Sequence, residues 1–184
     1  MKNSNMTASA ALEKLKEGNL RYLGAKTNAG DISPEMREAT VKNGQHPYAV
    51  IVSCADSRVI PEAAFSCGIG ELFVVRVAGN VIDDHALGSI QYAVEHLGAN
   101  LVVVMGHTHC GAVAAALGDN GGFVKTITDE IKCAIGNETD TDKASVLNVQ
   151  HSVAKIQTAF ELPASVTVRG ALYHTDTGRV VFLD

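Results

Sequence analysis

"VVVMGHTHCGAV", Val102 to Val113, joins an unbroken aliphatic run to two histidines and a cysteine, then to small helix-forming residues. A short apolar run that does not alternate reads as a strand covered on both faces, the mark of a parallel sheet lying between layers of helix. In an open α/β sheet, ligands gather at the carboxyl ends of the strands, where His107 and Cys110 would stand. The pattern has an earlier counterpart: "YAVIVSCADSRV", Tyr48 to Val59, ends its aliphatic run in Cys54, Asp56 and Arg58.

The runs "YAVIVS" (48–53), "ELFVVRV" (71–77) and "NLVVVMG" (100–106) are bounded by glycine or polar residues and predict parallel strands. Between them, "PEAAF" opens on Pro61, which suits a first helical position, and "DHALGSIQYAVEHLG" reads as a helix closed by Gly98. Val146, Val149, Val153, Ile156 and Phe160 step by three and four, marking one stripe of a long helix that stops before Pro163. "SVTVRGALYHTDTGRVVFL" holds two alternating runs about a turn at 175–178, a hairpin whose second strand runs antiparallel. Leu12, Leu15, Tyr22 and Leu23 fall at helical spacings, so a first amphipathic helix, capped by Thr7 or Ser9, forms an N-terminal arm over 1–25. "GDNGG" (118–122) and "GNETDTD" (136–142) predict surface loops. The expectation is a single α/β domain over 1–184. Its central sheet is mainly parallel, with about four parallel strands plus one antiparallel C-terminal strand, flanked by helices.

With 184 residues and 46% hydrophobic content the chain can bury a core of single-domain size. Its net charge of −5 provides no clustered cations for nucleic acid or an anionic membrane, so neither is expected as a partner. Glu13, Lys14, Lys16 and Glu17 interrupt any signal-like apolar segment near the start, and no run reaches the ~18 apolar residues of a membrane span. Four scattered cysteines do not form a disulfide framework and fit a reducing compartment, so the expected location is cytoplasmic.

Cys54, His107 and Cys110 all follow strand ends and can face one crevice. Two thiolates and an imidazole make a zinc-type donor set, and three protein ligands leave a fourth position open for chemistry. The competing reading is two small buried thiols and a strand-end histidine. His107 and Cys110 stand about one helical turn apart, and a helix start favours a thiolate. Asp56 and Arg58 project to the same side of an extended segment and can pair bidentately, either beside a bound ion or as a plain ion pair at a turn.

The two-part signature Cys54-Ala-Asp56-Ser-Arg58, followed about fifty residues later by His107-x-x-Cys110-Gly111, resembles that of the β-class carbonic anhydrases. The likeness runs from about Leu12 to the final hairpin and includes "GELFVVRVAGN" and "GSIQYAVEHLGA". It implies Zn²⁺ on Cys54, His107 and Cys110, and an aspartate–arginine gate at Asp56 and Arg58. In that gate the carboxylate takes the fourth metal position in a closed form and turns to the arginine in an open one. It implies a substrate pocket including Gln45, Phe73, Tyr92 and Gly111, although Phe73 and Tyr92 also suit plain core and Gln45 an exposed turn. The implied reaction is reversible hydration of CO2 to bicarbonate and a proton. Bound Zn²⁺ lowers the pKa of water toward ~7, giving hydroxide that attacks CO2 while Asp56 orients it. Two thiolates cancel the formal charge of the ion, so activity should favour mildly alkaline conditions. A homodimer or homotetramer is implied, with Gln45 and Tyr92 supplied by the neighbouring chain.

Three departures stand out. Ile51 occupies the place of a tryptophan that serves an inhibitory bicarbonate site in some members, and the chain has no tryptophan. Ala112 replaces a common second glycine, and Val77 a common asparagine. His109 suits a proton shuttle by residue type, but a side chain between two inward-facing ligands is set to point away. His85 and His96 read as surface or helix-cap residues, and Cys67 and Cys133 as buried or partly buried thiols. A carbonyl sulfide or carbon disulfide hydrolase would use the same ligands, and a non-catalytic zinc-binding subunit would need no gate.

Overall fold

A computed structural model describes residues 6–183. Its centre is a five-stranded sheet in the order β2-β1-β3-β4-β5, built from β1 (Ala49–Ser53), β2 (Leu72–Arg76), β3 (Leu101–His107), β4 (Thr167–Tyr173) and β5 (Val180–Phe182). The first four strands run parallel and β5 returns antiparallel to β4, as the sequence patterns predict. β1 and β3 are buried along their whole length, which explains why their sequences do not alternate.

Successive side chains still divide between two faces. Ile51, Val103, Met105 and Ala171 pack under α1 (Ala8–Gly24) and the short α3 (Pro61–Ala64), while Val50, Val52, Val102 and Val104 pack under α4 (Asp84–Glu95) and α7 (Thr141–Ala159). The chain moves from β1 outward to β2 and then crosses to the other side of β1 to form β3. The strand order therefore reverses between β1 and β3, and a crevice opens at their carboxyl ends.

The first helix is present and capped by Thr7, but it is docked on the core. Its buried positions are Ala11, Leu15, Gly18 and Asn19, whereas Leu23 is 43% exposed. Asn19 is buried because it is fully used: its Nδ2 donates to the carbonyls of Ala64 (3.0 Å) and Gly178 (2.9 Å), and its Oδ1 accepts from the Val180 N–H (2.9 Å). Gly18 is required there, since a Cβ would lie 2.0 Å from the Phe65 carbonyl oxygen.

Two helices lack an expectation from sequence, α2 (Pro34–Asn43) and α6 (Val124–Ile135); α5 (Gly111–Ala116) is the short helix after the second motif. α4 ends at Glu95 with His96 as its C-cap, and Gly98 takes the left-handed conformation that closes it. The loop at 136–142 ends earlier than predicted, because Asp140 caps α7 by accepting from the N–H groups of Asp142 and Lys143. Among the described residues no helix is long and apolar enough to cross a membrane.

Candidate metal centre

Cys54 follows β1, His107 ends β3 and Cys110 is the N-cap of α5. Their ligand atoms all lie within 4.8 Å of one another, and the three residues are at most 4% exposed. The reversal of strand order thus brings the two motifs into one crevice. The link from His107 to Cys110 is a turn and not a helical turn as the spacing suggested. His109 takes φ +55, which doubles the chain back so that both ligands face inward.

The His107 ring is oriented from behind. Its Nδ1 lies 2.9 Å from the Thr108 carbonyl, which can only accept, so Nδ1 carries the proton and Nε2 the lone pair. Nε2 is buried and has no hydrogen-bond partner among the described residues. A buried, unpartnered nitrogen facing two sulfurs is costly unless a Lewis acid completes it, and this donor set suits a zinc-type cation. The residues fit the metal that the resemblance implies.

Electrostatics favour charge on one of the two sulfurs. The adjacent Cys110 and His107 side chains, with the Gly79 and Asp56 N–H groups, bring Cys54 down to about 4 despite its burial. Cys110 is pushed up by the neighbouring Cys54 and by burial, so it holds the proton of the pair. Burial depresses His107, but the adjacent Cys54 sulfur, the Thr108 carbonyl and the Asp56 carboxylate outweigh it and leave the imidazole raised.

Asp56 and Arg58 do meet, although in a turn and not in an extended segment. Asp56 Oδ1 accepts from the Arg58 backbone N–H and Nε, both at 2.9 Å, and Oδ2 accepts from Nη2 at 2.7 Å. This bidentate clamp, against a smaller opposing burial effect, holds the carboxyl well below the usual carboxylate range. Oδ2 also lies 3.9 Å from His107 Nε2, so the carboxylate stands beside the metal position while remaining turned toward arginine.

Several residues that brace this centre carry no pattern legible beforehand. Arg76 donates to the carbonyls of Cys54 (3.2 Å) and Asp56 (2.7 Å). The His109 peptide is held on both sides: Arg58 Nη2 donates to its carbonyl (3.1 Å), and its N–H donates to Asp142 Oδ1 (3.0 Å). The Gly79 N–H donates to Cys54 Sγ at 3.2 Å, from a 3-10 turn over Ala78–Asn80.

A family model described as carbonic anhydrase matches residues 49–180. The β-carbonic anhydrase CafA of Aspergillus fumigatus superposes with a TM-score of 0.70 at 28% identity, covering 96% of this chain and 90% of that one. The chain belongs to the β-class carbonic anhydrases. Carbonic anhydrase 2 of Mycobacterium tuberculosis is 36% identical, covering 100% of this chain and 96% of its own length. The carbonic anhydrase of Mycolicibacterium smegmatis is 39% identical, covering 98% and 94%.

The remaining sequence candidates lie elsewhere. Gln45 is exposed just before β1, and Phe73 pairs with Val50 near the start of β2. Tyr92, 47% exposed on α4, stacks near Phe73 with ring centroids 6.3 Å apart. These three stand toward the amino ends of the strands, and β1 alone rises roughly 16 Å between Gln45 and Cys54. Gly111 begins α5, and a Cβ there would meet nothing within 4 Å, so packing does not demand glycine. His109 is exposed and joins the centre only through its backbone. Cys67 is buried against the Tyr48 hydroxyl (3.0 Å), whereas Cys133 is exposed, contrary to the expectation of burial.

Proposed function

We propose that the chain catalyses the reversible hydration of CO2 to bicarbonate and a proton, with Zn²⁺ held by Cys54, His107 and Cys110. The supporting observation is the unpartnered His107 Nε2 enclosed with two buried sulfurs beside an arginine-clamped carboxylate. When bound, Zn²⁺ supplies Lewis acidity that brings a water toward a pKa of ~7. The Thr108 carbonyl holds His107 in its ligating tautomer. Asp56 stays ionised under Arg58 and acts as a pure acceptor, taking one hydrogen bond from the attacking oxygen and aiming its lone pair at CO2. Rotation of Asp56 off Arg58 toward the 3.9 Å gap would close the site.

Gln45, Phe73 and Tyr92 are proposed as pocket residues offered to a neighbouring chain in a homodimer or homotetramer, since their own metal centre lies at the other end of the sheet. α2 supports an assembly of this kind: none of its residues is buried, and Val41 is 86% exposed. Four free thiols accord with a cytoplasmic location.

Metal analysis combined with stopped-flow CO2 hydration from neutral to alkaline pH tests the reading. One zinc per chain with turnover that rises toward alkaline pH is the expected result. Stoichiometric zinc without CO2 hydration would overturn it.

A further inference from the structure

The 3-10 turn Ala78–Asn80 is conformationally unusual. Gly79 has φ +66, and Asn80, which carries a side chain, has φ +47. Two successive left-handed residues persist only where surrounding contacts hold them. A larger residue at position 79 would be strained by this φ, and its Cβ would press on Ile131 Cδ1 at 2.7 Å and Ala112 Cβ at 3.1 Å. The outcome of this geometry is one hydrogen bond, from the Gly79 N–H to Cys54 Sγ.

The contacts that hold the turn come from α7. Val149 seats in a notch formed by two glycines on adjacent strands: a Cβ on Gly106 would lie 2.5 Å from its Cγ2, and one on Gly170 2.9 Å from its Cγ1. This close approach carries the preceding residue, Asn148, to the turn, where its Nδ2 donates to the Gly79 carbonyl at 2.7 Å. One helical turn later, the Ser152 hydroxyl donates to the Asn80 carbonyl at 3.3 Å. Both side chains are at most 2% exposed, so neither bond competes with bulk water.

We propose that Asn148, assisted by Ser152, is a positioning residue for the metal centre, acting through the Gly79 peptide on the sulfur of Cys54. The inference rests on the proposed metal site. Asn148 touches neither ligand nor substrate. It fixes the turn that aims an N–H at the Cys54 sulfur, and that N–H withdraws electron density from a thiolate donating to the cation. Losing it turns the Cys54 sulfur off the metal position, which lowers the affinity of the site, and leaves that sulfur more electron-rich, which lowers the Lewis acidity of the ion.

Asn148→Leu keeps the branched side-chain shape at a larger volume and removes the donor; Asn148→Ala, which removes it without added bulk, and Ser152→Ala complete the set. Three readouts apply: metal affinity by chelator competition, the thiolate-to-cobalt charge-transfer band of the Co²⁺-loaded protein, and CO2 hydration at full zinc loading. Asn148→Leu is expected to bind metal roughly 10-fold more weakly, with a shifted band and a lower kcat. Ser152→Ala should move the same readouts in the same direction by a smaller factor. Folded Asn148 variants with native affinity and an unmoved band would overturn the proposal. If they do not fold, an unmoved band in Ser152→Ala does so. Native protein that binds metal and turns over while its variants match it would sink this inference alone; native protein that binds no metal would sink the site itself.

Discussion

The two ends of the central sheet are built differently. At the carboxyl ends, Cys54, His107 and Cys110 are almost fully enclosed, and the turns around them are tied by Arg58, Arg76 and Asp142. At the amino ends, Gln45 is exposed and Tyr92 nearly half exposed, held mainly by loose ring contacts with Phe73 and His96. One chain thus completes a donor set, but it directs its amide and aromatic groups outward. The contrast teaches that the donor set is braced within one chain, whereas under the proposed assembly its pocket would be completed by a neighbour.

The largest effect should come from the enclosed end. Cys54→Ser or His107→Ala is expected to lower metal content and CO2 hydration together by more than about 100-fold, because ligand loss exceeds the usual loss of a supporting contact. A variant that keeps stoichiometric zinc would contradict the ligand assignment. Asp56→Asn should retain zinc yet lose roughly 100-fold in turnover, the scale of a misdirected nucleophile. Full activity in that variant would remove the orienting role.

The open end should respond less strongly, and in a distinctive way. Gln45→Ala is expected to lower turnover about 10-fold without metal loss, consistent with one missing hydrogen bond to a charged group. Refolding Gln45→Ala chains together with Cys54→Ser chains should give more activity than the mean of the two parents. Each mixed pair then contains one site with intact ligands and an intact neighbouring Gln45. Activity equal to the parental mean would return Gln45 to an ordinary exposed turn.

The mildest test concerns protons. Cys110 is raised above its ordinary value and is therefore protonated at neutral pH, whereas Cys54 is already ionised. Loading a cation must expel the Cys110 proton, and at lower pH the His107 imidazolium proton as well, so metal affinity should rise with pH, by about tenfold per unit where Cys110 alone is protonated and more steeply below that. Competition titrations at several pH values, with calorimetry in buffers of different ionisation enthalpy, measure the proton released. A pH-independent affinity would mean that Cys110 is not a ligand.

Much of this was legible in the amino-acid order because burial on both faces leaves a plain trace. β1 and β3 are aliphatic runs, the ligands stand where those runs stop, and the hairpin turn is marked by Thr175–Gly178. α2 escaped because it buries nothing and so has no apolar stripe, and α6 because it buries only Thr128, Ile131 and Ile135 between two polar loops. Asn148, Asp142 and Gly79 escaped for another reason. A polar residue in a helix and a glycine in a turn acquire meaning only when segments far apart in sequence are brought together. The extended geometry expected for Asp56 and Arg58 gave way to a turn because the Val59 N–H reaches back to the Asp56 carbonyl (3.0 Å).

Asn19 adds a constraint in time. Its side chain bridges to Gly178 and Val180, which lie at the far end of the chain. During synthesis at ~5–20 residues per second, the first helix can meet α3 and β3 early, but its seat is complete only once the 167–182 hairpin has left the ribosome. This early-made segment is therefore among the last to be fully fixed, and a chain cut short before Gly178 would leave Asn19 with two of its three hydrogen bonds unmade.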